Sequence, residues 1–328
     1  MAKIQVIKIS LAFLLGLSFS SLYADTLLTK YRLHGIDSIQ KDLDAALIKK
    51  EYWDTYLKNI DTRFGYIESY NSVLTCNKEK NTLNLYTQDQ NKSFIFQKEY
   101  SAFTGKVKGD KEKEGDLKTP LGVYTLTQRI EKLDSFYGPL ALVTSYPNLY
   151  DTYRGKNGHG IWIHGLPIEQ ERDDYTKGCI AINNEHIECL NRRINIQDTL
   201  LIINQTEVKQ NISKEILAQL LSSLYKWRYA WIYNDLQSYL DFYSPKFVRF
   251  DHMDYEGFIK YKTRIFNKDE EKTIHFSNLN ILPYPNTANV YQITFDEEYK
   301  SSSFTFQGDK ALIVELNESD SFKILTEK

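Results

Sequence analysis

Between Gly158 and Ile182 the chain places four glycines, two histidines and one cysteine. No other stretch restricts its fold and chemistry as tightly. Ile161-Trp162-Ile163-His164 reads as a strand, so side chains alternate between its two faces. Ile161 and Ile163 fall on one face, Trp162 and His164 on the other. Gly165 then frees the chain to turn. Gly178 lets the backbone pass close to a bound peptide. A short loop separates His164-Gly165 from Thr176-Lys177-Gly178-Cys179. A cysteine nucleophile needs a base to form thiolate and donors around the oxyanion that follows. His164 is the best base by position. The Cys179 amide with a neighbouring N–H is the expected oxyanion site. Lys177 is suited to favour thiolate or to bind a substrate carboxylate, and equally to sit in solvent.

The second histidine, His159, raises the question of metal. On a regular strand the His159–His164 spacing puts the two on opposite faces. No third ligand stands nearby in a zinc pattern. His159 is therefore read as a pocket-wall or structural residue, and no metal is expected.

Short strands surround this stretch. Leu83–Leu85, Phe94–Phe96, Val123–Leu126 and Leu200–Ile203 carry β-formers between polar turns. Gly105–Gly122 is a charged, glycine-punctuated connection, read as a solvated loop. Upstream, Asp37–Ile60 has helical spacing, with Asp37 and Gln40 resembling a capping box. It lacks the bulk of a core of its own, and is expected to pack on the next domain or to form a homodimer. Ile212–Leu240 is a second helical block with a broad apolar stripe that includes Trp227 and Trp231. Strand-like runs at Val290–Phe295 and Ala311–Leu316 follow.

The N-terminus reads as an export signal. Lys3 and Lys8 precede an apolar run from Ile9 to Leu22, and Ala24 suits a cleavage site. Without residues 1–24 the chain has 39 basic and 43 acidic residues. That balance offers no excess to neutralise phosphates and argues against nucleic acid as the partner. The three cysteines are Cys76, Cys179 and Cys189. With Cys179 as nucleophile, Cys76 and Cys189 are left to pair or to stay buried. The 24 tyrosines are read as filling sheets and cores.

The order His-Gly before Thr-x-Gly-Cys is the reverse of papain-like enzymes. With Thr119-Pro120-Leu121-Gly122 upstream, it resembles the YkuD family of L,D-transpeptidases and L,D-carboxypeptidases. Many members carry Arg two positions after the cysteine. Here that residue is Ala181, as in a Gly-Cys-x-Ala subgroup. From about Ser213 onward, the Trp-rich helix, Tyr239-Leu240-Asp241-Phe242-Tyr243 and the trailing strands resemble NTF2-like domains. The resemblance implies an α+β multidomain chain. Residues 25–71 form a helical region, 72–204 a β-rich catalytic domain, and 205–328 a curved sheet with helices over a pocket for a small ligand or glycan. It also implies a carbonyl near Gly165 as the partner of His164, periplasmic peptidoglycan stem peptides as substrate, and no cofactor. The whole arrangement is similar to the L,D-carboxypeptidases that trim peptidoglycan in helical epsilonproteobacteria. Transpeptidation and non-catalytic wall binding are the competing readings.

Overall fold

The computed structural model describes residues 26–167, 173–317 and 321–328. The expected export segment lies outside the described residues. Among those described, no helix is long and apolar enough to cross a membrane.

The architecture is α+β. Eight strands close a barrel: β2 (Ser72–Asn77), β3 (Thr82–Gln88), β4 (Phe94–Phe103), β5 (Gly122–Ile130), β6 (Ala141–Thr144), β7 (Trp162–His164), β8 (Ile180–Ile182) and β9 (Thr199–Asn204). Their order around the barrel is β2-β3-β4-β8-β7-β6-β5-β9. The pairs β7/β8 and β2/β9 run parallel. Alternation drives closure. Leu74 and Cys76, Leu83 and Leu85, Ile180 and Ile182, and Leu201 and Ile203 all point into one core. Helix α4 (Asn184–Arg193) adds Ile187 and Leu190 to that core. Cys76 is buried and all three cysteines are free thiols, so the Cys76–Cys189 pairing does not form. Burial pushes the Cys76 thiol up to about 12, which leaves it inert.

The second sheet is antiparallel and has the order β1-β10-β11-β12-β13, with β1 formed by Tyr66–Ile67. Its long strands are β10 (Lys272–Pro283), β11 (Val290–Ser301), β12 (Thr305–Leu316) and β13 (Phe322–Glu327). Helices α5 (Lys214–Ile232), α6 (Leu236–Leu240) and α7 (Tyr255–Phe266) pack on it. Ser213 caps α5 through the Ile216 amide. Aromatic rings dominate this core, among them Trp227, Tyr239, Tyr243, Phe247 and Phe258.

The N-terminal region departs from expectation. Residues 26–47 are already helical (α1), so Asp37 lies inside a helix rather than at its cap. The run upstream of Asp37 is rich in Leu, Lys and Arg, which hold helix well. Gly35, at φ +77°, marks its one left-handed position. After α2 (Lys50–Tyr56), the two-residue strand β1 (Tyr66–Ile67) pairs with β10, Tyr66 opposite Ile281. Trp53, Leu57 and Tyr66 enter the core of the C-terminal sheet. Asp44 accepts from Arg228 Nη2 at 2.6 Å, with both side chains nearly buried. The helical part of the region thus packs on the C-terminal domain, while Phe64 packs on the barrel against Tyr86 and Phe94 and Asp61 accepts from the Phe94 amide at 2.7 Å. Leu28, Leu33 and Ile36 remain exposed on α1.

The Gly105–Gly122 connection is also not simply solvated. Lys111 and Asp116 form an ion pair with both side chains buried. Lys78 donates to the Thr119 carbonyl at 2.6 Å. Asp110, Lys111 and Asp116 are paired and anchor the loop, whereas Lys106, Lys108, Glu112, Lys113 and Glu114 stay exposed as expected.

Tyr124, Tyr239, Tyr243 and Tyr284 are buried, and desolvation lifts each phenol well above its usual value. Their unfolded counterparts ionise near pH ~10. The stability they contribute is therefore whole below about pH 10 and is lost as the pH rises past it. An alkaline titration should show a late tyrosinate phase coincident with unfolding. Complete tyrosine ionisation in a protein that stays folded would contradict this.

Candidate active site

β7 and β8 lie side by side, with His164 opposite Ala181. Ile163, Ile180 and Ile182 face the barrel core. Alternation then puts Trp162, His164, Cys179 and Ala181 together on the outer face. Cys179 sits just before β8 and is partly exposed. Its thiol donates to the Gly160 carbonyl at 3.4 Å.

His164 is buried, and its Nδ1 lies 2.6 Å from the Gly165 carbonyl. A carbonyl only accepts, so Nδ1 carries the hydrogen. In the neutral ring Nε2 is then the basic nitrogen. Tyr137, on the β5–β6 connection, fixes the ring from outside. Its own ring meets His164 edge-on at 5.1 Å and Trp162 at 5.2 Å. Its carbonyl accepts from the Gly165 amide at 3.0 Å. Trp162, half-buried, forms the adjoining wall.

Gly165 has no room for a side chain. A Cβ there would lie 2.3 Å from Asn184 Oδ1, the oxygen that accepts from the Leu166 amide at 2.7 Å. Asn184, the first residue of α4, thus holds the turn after His164. Thr176 organises the other turn. Its hydroxyl donates to the Cys179 carbonyl at 2.6 Å and accepts from the Gly178 amide at 3.0 Å. The Gly178 N–H is therefore engaged within the turn. Gly178, at φ +141°, lies against the Lys118 carbonyl, which a Cβ would approach to 2.9 Å.

Lys177 and His159 are exposed. His159 belongs to the glycine-rich loop ahead of β7, not to a regular strand, because Gly158 and Gly160 both have positive φ. Ala181 is fully buried and offers no charge to a substrate carboxylate. Among the described residues, no group of three or more His, Cys, Asp or Glu is placed to hold a metal. Sequence reasoning missed Tyr137, Asn184 and Gly160. Two of these three act through main-chain carbonyls, which leave no residue-type signal.

In the C-terminal domain, Lys262 is buried with its ammonium 4.4 Å from the Trp231 ring centre and 5.1 Å from that of Tyr239. Desolvation lowers it to about 8. Burial raises the Glu297 carboxyl, and its Oε2 has no hydrogen-bond partner among the described residues.

Residues 71–203 match the L,D-transpeptidase catalytic domain (YkuD) family, and 219–328 match the Cds6 C-terminal NTF2-like domain. The helical cell shape determining protein Pgp2 from Campylobacter jejuni is 36% identical, with a TM-score of 0.78 over 86% of this chain and 99% of its own. Bdellovibrio bacteriovorus Bd1075 is 26% identical, with a TM-score of 0.65 over 82% of this chain and 97% of its own. YafK of Escherichia coli, whose name carries a provisional L,D-transpeptidase assignment, is 31% identical over 112 residues. That match covers 34% of this chain and 42% of YafK, less than half the length of this curated relative. The chain belongs to the YkuD L,D-transpeptidase family, in the form that joins the catalytic domain to a C-terminal NTF2-like domain.

Proposed function

We propose that the protein is a periplasmic peptidoglycan L,D-carboxypeptidase, removing terminal D-Ala from tetrapeptide stems. One observation carries the reading. The Nδ1 bond to the Gly165 carbonyl leaves Nε2 of His164 as the base, on the strand paired with the one that Cys179 immediately precedes. Nε2 takes the thiol proton. The thiolate attacks the carbonyl of the meso-diaminopimelate–D-Ala bond. The tetrahedral intermediate collapses, breaking the C–N bond, and His164 returns the proton to the departing amine. Water, deprotonated by the same nitrogen, hydrolyses the thioester and frees the tripeptide.

Transpeptidation differs only in the second step, where a diaminopimelate amine replaces water. The preference for hydrolysis rests on likeness to the carboxypeptidases named above. Likeness to Pgp2 extends the reading to cell shape. Incubation of disaccharide tetrapeptide with the protein, followed by mass spectrometry, separates the outcomes. Loss of one alanine supports the carboxypeptidase. Cross-linked dimers would make it a transpeptidase, and unchanged substrate would favour wall binding alone.

The same reading gives the C-terminal domain a small ligand or glycan, with the buried charges Lys262 and Glu297 as its candidate partners. Lys262→Met is expected to lower muropeptide retention on the protein while leaving D-Ala release unchanged. Equal retention by both proteins would remove Lys262 from that role.

A further inference from the structure

We propose that Tyr284, in the C-terminal domain, is a positioning residue for the Cys179 thiol. It acts through helix α3 (Leu149–Tyr153) and the Gly105–Gly122 loop. The inference rests on the catalytic reading of Cys179 given above.

Tyr284 follows β10, and its side chain leaves its own domain for the barrel. The ring meets Tyr150 at 4.7 Å, and the hydroxyl accepts from Asn148 Nδ2 at 3.0 Å. A Cβ on Gly122 would lie 2.5 Å from that hydroxyl, so it sits directly on the end of the loop. Asn148 is the N-cap of α3 and forms a reciprocal capping box with Asp151.

Asp151 is fully buried. It accepts from Tyr124 at 2.9 Å and pairs with Arg154 at 3.1 Å and Lys156 at 2.9 Å. Both cations also reach Asp110 in the loop, whose other oxygen accepts from the Leu121 amide at 2.8 Å. A low-dielectric cluster of this kind holds its members in one arrangement, because each unpaired charge is costly.

Two branches lead from the cluster to the thiol. Through the loop, Thr119 Oγ1 accepts from the Gly105 amide at 2.8 Å, Gly105 bridges to Thr176, and the Lys118 carbonyl abuts Gly178. Along the chain, Lys156 leads to Asn157, tied to the loop through Glu112 and Glu114. Three residues after Asn157 comes Gly160, whose carbonyl accepts from Cys179. Both supports of the nucleophile, its Gly160 acceptor and its Thr176 turn, are thus fixed by the cluster that Tyr284 closes.

A merely structural contact between the same two domains is available for comparison. Tyr153 donates to the Lys246 carbonyl at 3.2 Å and touches neither Asp151 nor Asp110 through its hydroxyl. The test uses the mature protein, Tyr284→Phe and Tyr153→Phe, well below their melting temperatures. Iodoacetamide labelling of the Cys179 peptide is followed by mass spectrometry beside kcat and KM for D-Ala release. Tyr284→Phe removes one oxygen and keeps the ring on Tyr150. It should change the labelling rate and kcat by about 2- to 30-fold while KM stays within about twofold. Tyr153→Phe should match the unaltered protein in both. Unchanged labelling in Tyr284→Phe, or equal changes in both variants, would overturn the proposal. Labelling needs no substrate, so it judges positioning even where full D-Ala release by Cys179→Ala defeats the catalytic reading.

Discussion

Cys179→Ala is expected to lower D-Ala release by at least about 10,000-fold, because among the described residues no other thiol stands beside His164 to form the acyl-enzyme. His164→Ala should cost about 100- to 10,000-fold, the range of a lost general base. The two losses should not add, since base and nucleophile act in one step. Thermal stability of Cys179→Ala should be nearly unchanged. The thiol is partly exposed, and its hydrogen bond to the Gly160 carbonyl is long at 3.4 Å. A folded Cys179→Ala protein that keeps a tenth of the activity would defeat the assignment.

Asp44→Ala should destabilise the C-terminal domain by about 3–5 kcal/mol, the usual cost of stranding one member of a buried ion pair. Arg228 would keep its bond to the Ile274 carbonyl at 2.8 Å but lose the carboxylate that balances its charge. Tyr233 would lose its acceptor as well. Pairing Asp44→Leu with Arg228→Met should recover most of the loss, since it removes both charges and leaves apolar volume. Urea unfolding followed by tryptophan fluorescence reads this domain well: Trp53, Trp227 and Trp231 lie in its core. A midpoint shift worth under about 1 kcal/mol would place Arg228 in a wetter setting than its burial indicates.

Legibility in the sequence followed the kind of physics involved. The faces of Ile161, Trp162, Ile163 and His164 came from alternation alone, and the structure keeps them. Gly165 and Gly178 were readable because only glycine tolerates their surroundings. The partners of the site were not. Tyr137 and Gly160 contribute carbonyls, and Asn184 reaches back from a helix whose own signal is ordinary. The charges of Gly105–Gly122 looked like a wet loop because composition cannot show that Lys111 meets Asp116 or that Asp110 meets Lys156. The contact of the N-terminal region with the C-terminal sheet was hidden for a related reason. β1 is two residues long and carries no period, and its partner lies more than two hundred positions away.

That short strand has a mechanical consequence. The chain leaves the C-terminal sheet after β1, builds the barrel, and comes back where the Asn211 and Ile212 amides donate to the Arg63 and Thr62 carbonyls. The barrel is therefore an insertion entered and left at neighbouring points, and it shares a core with the sheet, where Val73 and Leu200 join Leu282 and Ile313. A lone linker permits swivelling about its own axis as well as bending. Two crossings fastened to each other remove the swivel, and the shared core resists the bend, so the thiol keeps a constant bearing toward the NTF2-like domain.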